Sequence, residues 1–565
     1  MRYRRIAAYF MLAAFLVYCF FVFESNFHGP DEPVYFSYIA SIVEDGDFNV
    51  ANQMYAQGER FAVSPTYNVP DFHNHGGVVF WAPFYLYARS LYRAAGKLGV
   101  SSIIQEGYTS FIKCGLSSST VLFGFIALVL IYFFCRVFFA PGIALFTTAT
   151  LFLGTPYFHS LVVDTGNPNM IGVALSVLSL WCCLCIVGAP KGLWFIYGVF
   201  FSLCAVIRTE FWFQIIFIAL FFAYGVVSKK INPRQIAYFI IGLVPATCLN
   251  MVNSYLKYGT LHSGEAKLFS TENFYFFEQL FSSYRGFFYT SPVFYLCMLG
   301  LLLSLISLWE RPRKQTIGAC PDELLFVMLG LYVAGKIFFL SFRYAWGGGT
   351  PGARILLTEL PVFVLLFARV FKKQRPCLRI ALYLVSVLCI FWNALVISEY
   401  MSGADIRNLT GFYTLASRMS SFRHLFGLIF TVKGALAPRF ACGLPMLMLG
   451  IAFIFYATPR LGALFSAQDS PARARALFGV ITALTLFLSA GYALATGFNV
   501  YNNRRNVSFL RQQGYFSNAQ IVTKNQFEHR ENAGSLEEII VYYKFKGNMG
   551  KMHRLKKLKR QLEAQ

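Results

Sequence analysis

Two neighbouring carboxylates follow directly on the first apolar segment of the chain, in the run Gly29-Pro30-Asp31-Glu32-Pro33. A carboxylate at a membrane–water boundary can act as a general base, taking the proton from an attacking hydroxyl or amine. Partial desolvation beside a bilayer would raise the pKa of Asp31 toward that task. Asp31 would equally well cap a helix that begins at Pro33, and the sequence leaves both interpretations open.

A histidine- and glycine-rich turn comes next, in His73-Asn74-His75-Gly76-Gly77, and leads into the apolar stretch Val78–Tyr87. Two histidines at a water boundary can bind phosphate or a metal, and glycines let a ligand approach the backbone closely. A metal site would need a further ligand, which the spacing does not supply. The alternative is an interfacial aromatic helix without a bound group.

Further polar residues are predicted at other helix boundaries. Asp164, in the run from His159 to Asn169, is a third candidate carboxylate. Four cations stand near glycine-rich backbone or at segment ends and are candidates for binding a phosphodiester: Lys267, Arg285, Arg343 and Arg354. Arginine offers a bidentate fork for phosphate. Taken singly, each of these cations can also be explained by snorkelling toward the membrane interface.

The elements that must position these residues are membrane spans. Of the 565 residues, 57% are hydrophobic and only 13% are charged, a balance that excludes an ordinary soluble protein. Apolar segments predict about thirteen transmembrane helices. They cover residues 6–23, 114–138, 141–157, 169–187, 191–207, 210–228, 236–256, 290–308, 323–341, 354–370, 378–397, 441–457 and 477–496. The stretch Val78–Tyr87 is too short to cross and is predicted to be interfacial or re-entrant.

The positive charges predict the orientation of the spans. With Val78–Tyr87 not crossing, four basic clusters fall on the same side as the N-terminus, which the positive-inside rule assigns to the cytoplasm. They are Lys229/Lys230/Arg234, Arg311/Arg313/Lys314, Lys372/Lys373/Arg375 and Arg460/Arg473/Arg475. The candidate site and the C-terminus are then extracytoplasmic, with outer segments at 24–113, 158–168, 257–289, 342–353 and 398–440.

The formal charge of +23 follows from these loop clusters, so a nucleic-acid partner is not predicted. Most of the 13 cysteines lie inside apolar segments and are interpreted as small apolar fillers rather than metal ligands. The first segment is predicted to be a retained helix, because no small-residue cleavage pattern follows it.

The order of these motifs resembles that of GT-C-fold glycosyltransferases, and in particular the protein O-mannosyltransferase-like group that includes aminoarabinose transferases. The resemblance covers roughly residues 1–370 and depends on the order of degenerate motifs. They are Asp31-Glu32 with Tyr38, Glu44-Asp45-Gly46-Asp47, Asn52, His75-Gly76-Gly77 before Trp81-Ala82-Pro83-Phe84, Tyr284-Arg285-Gly286-Phe287-Phe288 before Ser291-Pro292, and Trp346-Gly347-Gly348 before Gly352-Ala353-Arg354.

The resemblance implies an all-α GT-C-like bundle in the inner membrane that transfers a sugar from a polyprenyl-phosphate donor, with inversion, to a lipid, glycan or protein acceptor. It implies Asp31 as the base, Glu32 as its neighbour and Asp164 as the second-loop carboxylate. Donor-phosphate contacts would fall on His73, His75, Lys267, Arg285, Arg343 and Arg354. Many relatives have a Lys-Pro-Pro-like step where this chain has His75-Gly76-Gly77. Some branches of the fold use a divalent cation such as Mg²⁺ or Mn²⁺, and no metal ligands are assigned here.

Three regions are expected: a catalytic membrane region over 1–370, further helices over 371–496 and an extracytoplasmic basic tail over 497–565. A secondary transporter or flippase of a lipid-linked sugar is the main alternative. It would place ionisable residues near the middle of the membrane, whereas the acidic residues here cluster outside. A scaffold without catalysis would leave the ordered motifs unexplained.

Overall fold

The chain folds into a bundle of α-helices whose order follows the apolar segments of the sequence. The computed structural model describes residues 2–25, 31–48, 50, 53, 73, 76–104, 107–258, 261, 269–270, 274–282, 285–310, 322–343, 352, 354–372, 374–401, 436–460 and 471–512. The helices are α1 (Arg2–Val22), α2 (Glu32–Ala40), α3 (Val78–Leu98), α4 (Tyr108–Arg136), α5 (Pro141–Leu153), α6 (Tyr157–Val162), α7 (Asn169–Cys185), α8 (Lys191–Ile207), α9 (Gln214–Val227), α10 (Pro233–Tyr258), α11 (Val293–Glu310), α12 (Asp322–Leu340), α13 (Leu360–Val370), α14 (Pro376–Met401), α15 (Leu436–Ala452) and α16 (Pro471–Gln512).

Shorter helical turns connect some of these helices. Two 3-10 turns lead into α9 and α13, at Thr209–Phe213 and Arg354–Glu359, and π-helical turns follow α2 and α15, at Ser41–Asp45 and Phe453–Ala457. Single α-helical turns cover Ser101–Ile104, Phe276–Phe281 and Phe287–Thr290.

The helices confirm the predicted class, an all-α polytopic integral membrane protein. Among the described residues, eight helices are long and apolar enough to cross a membrane, and four more are apolar but shorter. The predicted span 354–370 comprises the 3-10 turn Arg354–Glu359 and α13, whose 11 residues are all buried. Because of that burial, α13 lies in the protein interior rather than against lipid.

The short apolar stretch after the glycine pair is the first half of a longer helix, α3, with 21 residues. It runs antiparallel along the first half of α4. Phe80 and Phe84 pack edge-on against Phe123, with ring centroids 5.6 and 5.7 Å apart. Farther along α3, Ala88 faces Gly115, where an added Cβ would come within 2.8 Å of the Ala88 Cβ. The close contact explains the glycine on α4.

The predicted outer segments meet at one end of the bundle, where α1, α8 and α10 end and α2 begins. We call this the site end. Glu24, just after α1, donates its backbone N–H to the carbonyl of Val162 at 2.6 Å. Lys257, near the end of α10, donates from Nζ to the carbonyl of His73 at 3.0 Å.

The opposite end of the bundle holds those predicted cytoplasmic clusters that fall on described residues. Lys229 and Lys230 lie in the turn between α9 and α10, and Lys372 follows α13. Arg369 donates from Nε to Glu323 at 2.7 Å at the same end. The helix order therefore separates the two groups of loops as the charges predicted, and the assignment of either end to the cytoplasm stays a prediction.

The last helix reaches the site end and contacts the first loop. Asn499 of α16 accepts the backbone N–H of Phe48 at 3.1 Å and donates from Nδ2 to Asn253 of α10, also at 3.1 Å. The predicted span 477–496 is thus the middle of a longer helix, Pro471–Gln512. The rest of the predicted tail, including Lys551–Arg560, lies outside the described residues.

Candidate active site

Asp31 stands immediately before α2 and points its side chain away from that helix. Pro33 occupies the first turn, where its missing N–H costs no hydrogen bond. The Asp31 side chain makes no capping bond. It accepts a charged hydrogen bond from Nη2 of Arg354, and its Oδ1 lies 3.1 Å from Nε2 of His73. Asp31 therefore occupies the N-cap position of α2 without capping the helix through its side chain.

Arg354 links two of the predicted carboxylates. It is the first residue of the turn Arg354–Glu359, and its Nη1 donates to Oδ2 of Asp164 at 3.2 Å while its Nη2 binds Asp31. The exposed fractions of the Asp31, Arg354 and Asp164 side chains are 18%, 10% and 3%. Three sequence-predicted residues from separate segments thus form one charged bridge, which is partly open to solvent at Asp31.

The charges around Asp31 determine its protonation. Burial raises the pKa of Asp31, but the positive charge of Arg354 and the contact with His73 outweigh burial and hold the pKa below the ordinary aspartate range. The expectation that desolvation would raise this pKa is wrong, because the sequence did not reveal that Arg354 would lie against the carboxylate. Asp31 is therefore ionised at neutral pH.

His73 is fixed from two sides. Its backbone carbonyl accepts the hydrogen bond from Lys257, and its ring packs edge-on against Tyr35 with centroids 5.1 Å apart. Lys257 is buried, and its Nζ lies 4.5 Å from the ring centroid of Tyr38. The face of the ring attracts the ammonium group. The structure thus brings His73 to Asp31, whereas His75 lies outside the described residues.

Glu32 lies in a different environment from Asp31. Its side chain is fully buried, and Oε1 accepts the backbone N–H of Gly166 at 2.7 Å. The first residue of α2 is thereby bonded to the turn that follows Asp164. Glu32 thus holds two site segments together, and its neighbour Asp31 is the carboxylate that reaches solvent. A catalytic role for Glu32 stays a prediction.

Arg285 lies in the same neighbourhood as the bridge. Tyr400, near the end of α14, interacts electrostatically with Arg285, Asp164 and Arg354. The ring of Tyr400 also packs edge-on against His159, with centroids 5.3 Å apart. Tyr400 is thus a residue beside the bridge that the sequence analysis missed, and phosphate binding by Arg285 stays a prediction.

Two predicted phosphate contacts are not found at the bridge. Lys267 lies outside the described residues. Arg343 interacts electrostatically with Glu210, in the 3-10 turn that leads into α9, and no contact between Arg343 and Asp31 or Asp164 is present within the described part of the chain. We therefore assign Arg343 to a second charged group rather than to the bridge.

The second charged group consists of two buried ion pairs, Lys336–Glu359 and Arg208–Glu210. Lys336 of α12 is fully buried and donates from Nζ to Glu359 at 2.7 Å, to Thr358 at 3.1 Å and to the carbonyl of Ile355 at 3.0 Å. All three acceptors belong to the 3-10 turn whose first residue is Arg354. Lys336 thus fixes the turn that carries the bridging arginine.

A second ion pair fixes the turn that carries Asp164. Arg208, at the end of α8, binds both carboxylate oxygens of Glu210 at 2.7 and 3.1 Å. Its Nη1 lies 3.4 Å from Oδ1 of Asn167, three residues after Asp164. Buried ion pairs are costly in a low-dielectric interior and are retained where they specify a geometry.

Several buried polar atoms beside the bridge are available to a ligand. No described residue lies within hydrogen-bonding distance of Oδ1 of Asp164, Nδ2 of Asn167 or Nδ2 of Asn169. The three side chains are 2–4% exposed, and buried polar atoms normally have partners. One acceptor and two amide donors within six residues suit the hydroxyl groups of a polar substrate.

A divalent cation does not fit this arrangement. In the described ranges, no three His, Cys, Asp or Glu side chains stand close enough to bind a metal. The guanidinium of Arg354 already occupies the position between Asp31 and Asp164 that a cation would take. We therefore derive no step through a metal ion.

No protein-family model matches the chain, and no curated protein sequence matches it either. Among solved structures, the fold is similar to the crystal structure of ArnT from Cupriavidus metallidurans in the apo state. The likeness covers 87% of this chain and 76% of that chain, with 11% sequence identity and a TM-score of 0.40. We derive the chemistry below from the contacts of the site itself.

The residues that sequence reasoning missed had recognisable signals. Lys336 is a lysine inside a predicted span, and an ionisable residue in such a place indicates a functional or positioning role. Glu359 lies inside the predicted span 354–370 and gives the same signal. Tyr400 gave none, because it follows a predicted span, where aromatic residues are common anchors.

Proposed function

We propose that the chain is an inverting glycosyltransferase that takes its sugar from a polyprenyl-phosphate donor and transfers it, on the outer face of the inner membrane, to a lipid, glycan or protein acceptor. The observation that carries the proposal is the bridge of Arg354 between Asp31 and Asp164 at the site end of a membrane bundle. It combines a base that reaches solvent with a cation suited to phosphate.

In the proposed reaction, Asp31 takes the proton from the acceptor hydroxyl or amine as that atom bonds to the anomeric carbon. The bond from the same carbon to the lipid phosphate breaks, and its electron pair leaves on the phosphate oxygen. Arg354, with Arg285 nearby, stabilises the charge that develops there. As Arg354 turns from Asp31 toward the phosphate, the carboxylate loses its strongest partner and becomes a stronger base.

The atoms left without partners support a sugar as the transferred group. A sugar hydroxyl donates and accepts, and it would complete the hydrogen bonding of Asp164, Asn167 and Asn169. Transport is less well supported. The buried charges Lys336, Glu359, Arg208 and Glu210 are paired with one another, whereas a transport pathway needs charges that exchange partners.

The test uses purified wild-type protein with a panel of polyprenyl-phosphate sugars, and release of polyprenyl phosphate as the readout. Asp31→Asn should lower turnover by about 10²- to 10⁴-fold, the usual contribution of a general base, while the protein stays folded. Asp322→Asn, an exposed aspartate at the opposite end, serves as the matched control. Wild-type turnover by Asp31→Asn would remove the assigned base. Counterflow of labelled lipid-linked sugar in proteoliposomes without donor cleavage would favour a flippase instead.

A further inference from the structure

A buried arginine outside the candidate active site lacks a full set of partners. Arg439, in α15, is 5% exposed. Its one hydrogen bond is long, from Nη1 to the carbonyl of Phe21 at 3.4 Å, and its guanidinium lies 4.4 Å from the ring centroid of Phe23. Within the described part of the chain, Nε and Nη2 have no hydrogen-bond partner.

No carboxylate of the described residues forms an ion pair with Arg439. The carboxylate of Glu24 acts on Arg439 electrostatically, and the two side chains form no ion pair. A buried guanidinium without a counter-ion is costly, because desolvation penalises the charge and its N–H groups have lost their bonds to water. An anion bound at Nε and Nη2 would remove both penalties.

The surroundings of Arg439 indicate which kind of anion would bind there. Three large apolar side chains near it are exposed on the outside of the bundle: Phe21, Leu436 and Phe440, with exposed fractions of 36%, 51% and 52%. Phe21 and Phe440 pack edge-on with centroids 6.0 Å apart. In a membrane-spanning bundle such a surface faces lipid chains. A cation beside a lipid-facing surface fits an amphiphile with a charged head and an apolar tail.

We propose that Arg439, at the junction of α1 and α15, binds the phosphate of a membrane lipid whose chains lie over Phe21, Leu436 and Phe440. The planar fork of Nε and Nη2 suits two phosphate oxygens. This site uses none of the residues assigned to sugar transfer, and it holds whether or not the chain is a transferase. The phosphate belongs either to a phospholipid of the bilayer or to a polyprenyl phosphate.

The test measures thermal stabilisation of delipidated full-length protein by phosphatidylglycerol and by a diacylglycerol with the same chains. Phosphatidylglycerol should raise the Tm of the wild type, and Arg439→Met should lose at least half of that rise. Diacylglycerol should have little effect on either protein. Arg379→Met, at an exposed arginine of α14 near the opposite end, is the matched control and should respond as the wild type does.

Two further measurements separate the outcomes. Competition with undecaprenyl phosphate identifies the source of the phosphate: displacement of phosphatidylglycerol assigns the site to the polyprenyl lipid, and no displacement assigns it to the bilayer.

If Arg439→Met does not fold, native mass spectrometry of Arg439→Lys should show weaker retention of phospholipid, because lysine lacks the planar fork. Equal Tm shifts in wild type and variant, or equal retention, would overturn the proposal.

Discussion

Arg354 donates a hydrogen bond to Asp31, although the two residues are 323 positions apart in the sequence. This contact joins the 3-10 turn Arg354–Glu359 to the first loop. In the proposed reaction, the cation that lowers the pKa of the carboxylate also receives the phosphate. A substrate that attracts Arg354 would then activate Asp31 as it binds. The resting pair keeps both groups charged and in position beside a low-dielectric membrane.

Arg354→Lys and Arg354→Met test the bridge. Lysine keeps the charge but not the planar fork that reaches Asp31 and Asp164 together, so kcat/KM should fall by about 10²-fold. Methionine also leaves two buried carboxylates without their cation, which should cost about 3–5 kcal/mol of stability. Initial rates and thermal unfolding measure both effects. Unchanged kcat/KM in Arg354→Lys would show that a single positive charge at this position is sufficient for activity without the planar fork.

The pH dependence of the free enzyme follows from the lowered pKa of Asp31. A carboxylate whose pKa is lower in the folded state adds stability above its unfolded value of about 3.9 and loses it as the pH falls through the folded value. Asp31 should therefore contribute no acid limb to kcat/KM, and no change in stability, between about pH 5 and 8.

In Arg354→Met, burial acts on Asp31 without the opposing guanidinium, so the pKa of Asp31 should rise. The acid limb of the residual kcat/KM should then appear at higher pH than in the wild type. Rate profiles of both proteins over the same buffers provide the comparison. A wild-type acid limb near neutrality that is absent from Asp31→Asn would contradict this assignment.

The buried pair of Lys336 and Glu359 offers a test of positioning. Lys336→Met alone should destabilise the protein by about 3–5 kcal/mol, because Glu359 is left buried and unpaired. Adding Glu359→Leu should recover most of that loss, since an apolar pair of similar size is often as stable as the ion pair. The kcat/KM of the double variant should stay at least about 10-fold below that of the wild type, because the reacting geometry tolerates little displacement of Arg354.

The ion pair of Arg369 and Glu323 at the opposite end is the matched control. Arg369→Met combined with Glu323→Leu removes a buried pair of the same kind, at 2.7 Å, far from the bridge. This double variant should keep its rate. Loss of activity in both double variants would show that the effect is general to buried charges and not specific to the turn of Arg354.

Asn167 and Asn169 test recognition of the sugar. Asn169→Ala removes an amide donor without a protein partner, so thermal stability should change little. If that amide binds a sugar hydroxyl, kcat/KM should fall by about 10-fold or more, the usual worth of one hydrogen bond. With a sugar donor that lacks the recognised hydroxyl, the wild type and Asn169→Ala should have similar kcat/KM. An equal fall in kcat/KM with every sugar donor would exclude this contact.

Much of the fold was predictable because length and apolarity determine a membrane span. Asp31, His73, Asp164 and Arg354 were predicted from their places at span ends, and the structure brings them together. Their pairing was not predictable, since nothing local in the sequence tells which cation reaches which carboxylate. For the same reason the direction of the Asp31 pKa shift was predicted wrongly.

The contacts of Glu32 could not be predicted either. Asp31 and Glu32 are chemically similar neighbours, and only the direction of each side chain separates them. One faces the bridge and the other accepts the N–H of Gly166. The burial of α13 was not predictable, because an interior helix and a lipid-facing helix have the same apolar composition.

The bond between Phe48 and Asn499 has a consequence for how the protein is made. The two residues are 451 positions apart, and Asn499 belongs to α16, which the ribosome makes after every residue of the bridge. The loop that carries Asp31 thus receives one of its attachments only after α16 has been synthesised. A nascent chain that stops before Pro471 would hold every bridging residue and still lack that attachment.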